Sequence, residues 1–328
     1  MGNRLKDRVA VVTGSGQGIG KAIALAMAKE GAGVVTNNRR PGSTGVSIYG
    51  EEFTEKFSSE ETEQALRLSG DAETTAEEIK EMGGKATAFF GDVSDFNTAE
   101  KLIQKAVDSF GRVDILVNNA GTFSRGFIWE LSEDAWDYVV LAKLKGTFNC
   151  TRHAVGLMKE QGWGRILNCT SGAWLGNMEH SNYSAANAGV VGLTRSVAME
   201  LFKYGVTCNA YAPLAMTRAL IGLAARTRIM AEAGITIRGE RGESTAATAL
   251  EATVGPEGIA QLVTYLATEE AAQISGTVFR AVGNEFVIYS EPEEKKRITK
   301  KIGQWTIDEL VKAVPRGLLE GYVGLAAD

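Results

Sequence analysis

Glycines 14, 18 and 20 recur through the run TGSGQGIG, between a short apolar stretch (RVAVV) and a longer one with helical spacing (KAIALAMAKEG). That placement suits one kind of chemistry. A phosphate reaches the backbone N–H groups at the start of a helix only where no Cβ blocks it, and the helix dipole there favours negative charge. The bland alternative is a tight strand-to-helix turn that binds nothing. A second feature bears on the same ligand class. TNNRRPG (36–42) closes the next apolar run with no carboxylate and with two arginines, Arg39 and Arg40. Their guanidinium groups either pair with phosphate or stay with solvent and the glutamates at 51–63. Metal chemistry has no comparable signal. Cys150, Cys169 and Cys208 lie far apart and share no ligand spacing with His153 or His180, so no metal is expected.

These groups need elements to hold them. RVAVVT and AGVVTN (32–37) read as buried β runs with a helix between them. Further strands are expected at KATAFFGDV (85–93), DILVNNAG (114–121), GRILNCTS (164–171), VTCNAYAP (206–213) and GTVFRAVG (276–283). Helices are expected at 97–111, 132–161, 183–205 and 255–268, with Ser132 capping the longest. Strands alternating with helices imply a parallel sheet covered on both faces, and right-handed crossovers make it doubly wound. The predicted fold class is therefore α/β, a three-layer Rossmann fold occupying residues 1–290. Three stretches break the alternation: an insert at 40–70, an Ala/Thr/Arg/Gly-rich segment at 218–254, and a charged, then amphipathic, tail at 291–328.

Four features in order, TGxxxGIG, Asp92-Val93 after the third strand, NNAG (118–121) and a Ser/Tyr region, resemble the short-chain dehydrogenase/reductase family over roughly residues 5–285. The resemblance implies a nicotinamide dinucleotide. Gly14, Ser15, Gln17, Gly18, Ile19 and Gly20 would surround its phosphates, and Asp92 with Val93 its adenine. Asn119, Ala120 and Gly121 would line the adenosine, and Pro213 and Thr217 the nicotinamide, with Leu214 where the family usually has glycine. Asn38 stands where the family often has Asp, and Arg39 follows it. A missing carboxylate beside a guanidinium favours NADP(H) over NAD(H).

The same resemblance implies hydride chemistry between a ketone and a secondary alcohol. Tyr183 carries over as the acid/base and Ser171 as the group that holds the carbonyl oxygen. Their separation is twelve residues where thirteen is usual, which leaves either a shortened loop or a part for Thr170. The family's lysine, four residues after the tyrosine, is Asn187 here, and its asparagine in the long central helix is Lys143. The reading is an exchange in place. Lys143 supplies the ammonium that activates the phenol, and Asn187 hydrogen-bonds the ribose. Segment 218–254 falls where the family keeps a substrate lid, and the long helices imply a homodimer or homotetramer. The stretch VGNEFVIYSEP and the tail after it resemble the dehydrogenase parts of multifunctional β-oxidation proteins, a pointer to 3-hydroxyacyl or 3-ketoacyl thioesters.

Other residues have plainer expectations. His180 and Glu179, in the loop before Tyr183, are expected at the surface, with a substrate role as the sharper alternative. Trp174 and Met178 line either a pocket or the core, and Cys169 is a small core residue. Trp305, Leu310, Val311 and Val314 have helical spacing in the tail and face either their own domain or another subunit. The chain has 328 residues, 44% of them hydrophobic, and a net charge of −5. That charge offers nucleic acid no basic field, and no apolar run approaches the ~18 residues of a membrane span. The opening residues run straight into a strand with no leader ahead of them, so a cytoplasmic protein is expected. Two rival readings remain: a catalytically silent subunit beside an active partner, and an enzyme doing non-redox chemistry on a carbonyl.

Overall fold

Every side chain of Val9–Val12 (β1) is buried, which a short apolar run achieves only as a central strand covered on both faces. The computed structural model describes residues 2–42, 58, 59, 63, 69–215 and 255–321. The chain divides into one unit, Met1–Tyr289, and a second, Ser290–Asp328.

In the first unit β1 is joined by β2 (Gly33–Asn38), β3 (Lys85–Phe90), β4 (Ile115–Asn118), β5 (Gly164–Cys169), β6 (Val206–Leu214), β7 (Val278–Val282) and β8 (Glu285–Ile288). They form one eight-stranded sheet in the order β3-β2-β1-β4-β5-β6-β7-β8. Six of its pairings are parallel, and only β7 with β8 is antiparallel. The helices are α1 (Gly18–Lys29), α2 (Ala72–Glu81), α3 (Phe96–Phe110), α4 (Glu133–Val140), α5 (Gly146–Gln161), α6 (Ser181–Leu201) and α7 (Glu257–Leu266). Alternate β1 residues enter different apolar clusters. Ala10 and Val12 pack with Met27 of α1 and Leu266 of α7, while Val9 and Val11 pack with Leu102 of α3 and Met158 of α5. The sheet is thus the middle of three layers. Strand order reverses between β1 and β4, and the carboxyl ends of strands at such a switch point leave a crevice for ligands.

Three elements differ from the sequence expectation in kind, and others only at their ends. β8 is an added strand. α2 was also missed, although Asp71 and Thr74 form a reciprocal capping box at its start. The helix expected at 132–161 is interrupted by a π turn, Leu141–Lys145, in which the N–H of Gly146 reaches back to the carbonyl of Leu141. The last parallel strand starts at Val278 rather than 276. Most of the 40–70 insert, all of 218–254, and Thr217 lie outside the described residues.

The second unit contains α8 (Ile307–Gly317), opened by a capping box between Thr306 and Glu309. Lys300 Nζ lies 2.7 Å from Glu309 Oε2. Ile307 and Val311 are exposed, and Leu310 and Val314 half-buried. Among the described residues no helix is long and apolar enough to cross a membrane, and no three His, Cys, Asp or Glu side chains are grouped to hold a metal ion.

Candidate active site

A cleft of about 290 Å³ opens at the switch point. Gly14 and Gln17 line its β1 side. Gly14 takes the left-handed backbone (φ +63), and a methyl group there would stand 3.0 Å from Ala120 Cα. One on Gly20 would stand 2.4 Å from the Gly14 carbonyl oxygen. The close approach that the glycines allow is thus partly of chain to chain, and it leaves the start of α1 open beside the cleft. Gly18, Ile19 and Gly20 form the first turn of α1, where helical N–H groups have no partner within the helix. Ser15 departs from its expected place. It is fully buried, its hydroxyl donates to Val12 O (2.7 Å) and accepts from Asn37 N (2.9 Å), and it braces β1 against β2 instead of facing the cleft.

Asn38, Arg39 and Arg40 form the β2 wall, and Asp92 with Val93 the β3 wall. Asp92 Oδ1 accepts from Ser94 N at 2.9 Å, which fixes the carboxylate. Asn38 Oδ1 and Gln17 Oε1 are buried acceptors without a hydrogen-bond partner among the described residues. Both arginines are exposed, with no ion pair among the described residues. On the far side Asn119 Nδ2 donates to the carbonyls of Thr13 (3.1 Å) and Gly14 (3.2 Å), while Thr13 Oγ1 accepts from the N–H groups of Asn119 (3.0 Å) and Ala120 (2.9 Å). Thr13 thus locks the NNAG turn to the glycine turn, a role that sequence reading missed. A glycine cradle with guanidinium groups beside it fits phosphates, and the orphaned acceptors fit hydroxyl or amino donors, a combination that a dinucleotide offers.

The reacting end is built from three segments. Tyr183, half-buried in the first turn of α6, meets Phe123 edge-on with ring centroids 6.3 Å apart. Asn182 is a clamp that the sequence did not reveal. Its Oδ1 accepts from Tyr183 N (2.7 Å), and its Nδ2 donates to Ser124 Oγ (2.7 Å) and Ala135 O (2.9 Å). Lys143 lies in the π turn, 3% exposed, with its side chain along Gly121; a methyl group at 121 would stand 3.0 Å from Lys143 Cδ and 3.4 Å from Nζ. Lys143 makes no ion pair or side-chain hydrogen bond among the described residues. Its carbonyl accepts from Thr147 Oγ1 at 2.7 Å. The π turn packs on α6 through Leu144, whose Cδ2 would be 2.7 Å from a methyl group on Gly189. Lys143 and Tyr183 therefore touch the same short segment, at Gly121 and Phe123.

Asn187, one turn after Tyr183, is fully buried. Its Nδ2 donates to Tyr183 O (2.8 Å), and its Oδ1 has no partner among the described residues. Thr170 Oγ1 donates to the Asn187 carbonyl (3.1 Å), tying the end of β5 to α6. Ser171 is the more exposed neighbour, with its Oγ accepting from Ala173 N at 3.3 Å. Pro213 is half-buried on β6. Trp174 packs edge-on to Tyr289 over Val191, Ala210 and Val278, and Met178 is exposed. Cys169 is buried, as expected of a core residue. His180 is not at the surface: it is 5% exposed.

Similarities to known proteins bear on this arrangement. A model of the short chain dehydrogenase family matches residues 44–226. Hydroxyacyl-CoA dehydrogenase ChsB1 of Mycobacterium tuberculosis is 31% identical over 318 residues, which cover 93% of this chain and 87% of that one. Subunit BbsD of (2S)-[(R)-hydroxy(phenyl)methyl]succinyl-CoA dehydrogenase from Thauera aromatica is 37% identical over 209 residues, 64% of this chain and 73% of the relative. The peroxisomal hydratase-dehydrogenase-epimerase of Saccharomyces cerevisiae is 34% identical over 86% of this chain, which spans about a quarter (26%) of that longer protein. The crystal structure of a short chain dehydrogenase from Mycobacterium avium superposes with a TM-score of 0.72 at 33% identity, covering 96% of this chain and 95% of that one.

Proposed function

Because this chain belongs to the short chain dehydrogenase family, we propose that it is an NADP(H)-linked oxidoreductase interconverting a ketone and a secondary alcohol, with 3-ketoacyl and 3-hydroxyacyl thioesters as the substrate class. The observation that carries the reading is Lys143. Its side chain is buried (3% exposed) along Gly121, and the ammonium makes no ion pair among the described residues. Such a charge is costly and persists where it serves a ligand or a reaction.

Bound in the cleft, the nicotinamide supplies or takes up the hydride. The chain's own residues do the rest. In the reducing direction Tyr183 gives its phenolic proton to the oxygen that was the carbonyl; in the oxidising direction it takes the alcohol proton. Ser171 Oγ donates to the same oxygen and holds it in line. The Lys143 ammonium favours the phenolate. Asn187 Oδ1 is a buried acceptor with no partner among the described residues, and we assign it to a ribose hydroxyl that a small turn of the side chain would bring within reach. Thr170, whose hydroxyl is already used on α6, takes no part.

Preference for NADP(H) is supported by the β2 wall, where Asn38 offers no carboxylate and Arg39 and Arg40 stand exposed beside the cleft. The thioester class is supported by the relatives named for hydroxyacyl-CoA and succinyl-CoA substrates. Self-association through α5 and α6 is supported by exposed Phe148, Met199 and Phe202 on and just after these helices. The test is cofactor consumption with 3-ketoacyl thioesters and simple ketones, using NADPH and NADH. NADPH oxidation with the thioesters, lost in Lys143→Ala, is expected. A folded protein that binds NADPH but oxidises it with no carbonyl would be a silent scaffold instead.

A further inference from the structure

We propose that His180 is a positioning residue for Tyr183, pressed against the phenol by a latch between the two loops that flank it. The inference rests on the reading of Tyr183 as the acid/base. Four observations converge on it. The backbone of Glu179 takes the left-handed conformation (φ +60), and Asp7 is the only other non-glycine residue with positive φ among the described residues. A side chain with a Cβ adopts that conformation only where its surroundings enforce it, and such outliers gather at functional sites. The enforcing contacts come from the loop after β4. Gly126 N donates to Glu179 O at 3.0 Å, Gly126 bridges to His180 in parallel register, and Arg125 pairs with the Glu179 carboxylate at 3.9 Å.

The reversed backbone at 179 turns the next side chain inward. His180 is 5% exposed although it lies in a loop whose neighbour Met178 is 72% exposed. Its ring centroid is 5.8 Å from that of Tyr183, at an interplanar angle of 54°. Nδ1 lies 3.0 Å from Met178 O and 3.2 Å from Asn177 Nδ2, and either contact fixes the plane of the ring. Phe123 also meets the phenol, at 6.3 Å. Phe123 and Arg125 belong to one loop, so the segment that carries Phe123 also holds the latch. The phenol meets two rings, and the backbone of Tyr183 is clamped by Asn182. A reacting group held this way loses rate when the wall is removed, because small misplacements of an acid/base cost much in turnover.

The experiment compares His180→Ala and His180→Phe in the full chain by two readouts. In steady-state cofactor oxidation, His180→Ala is expected to lower kcat by roughly ten- to a hundredfold with KM for the nucleotide unchanged, and His180→Phe to recover most of the loss. In the second readout the protein is labelled with fluorotyrosine, and the Tyr183 fluorine resonance is identified by its disappearance in Tyr183→Phe. That resonance is expected to shift in His180→Ala and to return in His180→Phe, while those of distant tyrosines stay put. A Tyr183 resonance unmoved in His180→Ala, or an unchanged kcat, overturns the inference, as does a His180→Phe variant as slow as His180→Ala. The resonance needs no turnover. If the protein consumed no cofactor with any carbonyl while the resonance behaved as expected, the activity reading would fail and the positioning of Tyr183 would stand.

Discussion

Replacing Lys143 by Met asks whether the buried ammonium exists for function or for the fold. Methionine keeps an unbranched side chain of similar volume along Gly121 and removes the charge. The lysine is 3% exposed and has no anionic or hydrogen-bonding side-chain partner among the described residues. Burying an ion without compensation carries a penalty of several kcal/mol after relaxation. Part of that is regained by structural adjustment, so Lys143→Met should stabilise the protein by about 2 kcal/mol. For a unit spanning Met1–Tyr289, at about 2.1 cal/mol/K of unfolding entropy per residue, each kcal/mol corresponds to roughly 1.5–2 °C in Tm. The assay is urea unfolding and a thermal scan without nucleotide, beside NADPH oxidation by the same preparations. The variant should melt about 3–4 °C higher and turn over at least about a hundredfold more slowly. The stability difference should narrow when NADPH is added, because the wild type then gains more from its ligand. A destabilised Lys143→Met that kept its turnover would refute the reasoning, since the lysine would then be a packing residue.

Other outcomes follow from the same structure. Arg39→Ala and Arg40→Ala should lower the preference for NADPH over NADH by about tenfold or more, seen as a rise in KM for NADPH alone, because a charge-assisted hydrogen bond contributes about 1.5–3 kcal/mol. Burial pushes the Cys150 thiol up to about 12, so at pH 8 it stays protonated. Mass spectrometry after alkylation should find Cys150, Cys169 and Cys208 unmodified in native protein and modified in urea. Lys300, with the N–H and hydroxyl of Thr306, holds the Glu309 carboxyl at about 2, below its ordinary value of 4.5. A depressed carboxylate stabilises fully above the ordinary value, and its contribution is lost as pH falls toward 2. NMR signals from the first turn of α8 should therefore persist at pH 4 and fade toward pH 2, and Lys300→Ala should move that loss to higher pH.

How much of this was legible in the sequence depends on how local each constraint is. The glycine turn, the NNAG turn and the buried strands are set by neighbours in the chain, and Gly14, Asn119 and β1 lie where the pattern put them. Ser15 belongs to the same motif, but its orientation is decided by Asn37 on another strand, so the motif alone misassigned it. β8 escaped notice because all four of its side chains are exposed and show no apolar alternation. α2 left a readable signal in Asp71 and Thr74 that was passed over. The π turn adds one residue to a helical turn without changing composition, so nothing in LAKLK announces it. The burial of His180 depends on Arg125 and Gly126, more than fifty residues earlier, and on a backbone conformation that Glu179 would not adopt alone.

The central claim is that one positive charge has moved from position 187 to position 143 and still serves Tyr183. Three variants test it most directly: Lys143→Asn, Asn187→Lys, and the two together. The account expects each single change to abolish cofactor-linked turnover, one by removing the charge and the other by crowding two ammoniums, and the double variant to recover activity well above either. A Lys143→Asn enzyme as fast as wild type, or a folded double variant as inactive as the singles, would contradict it.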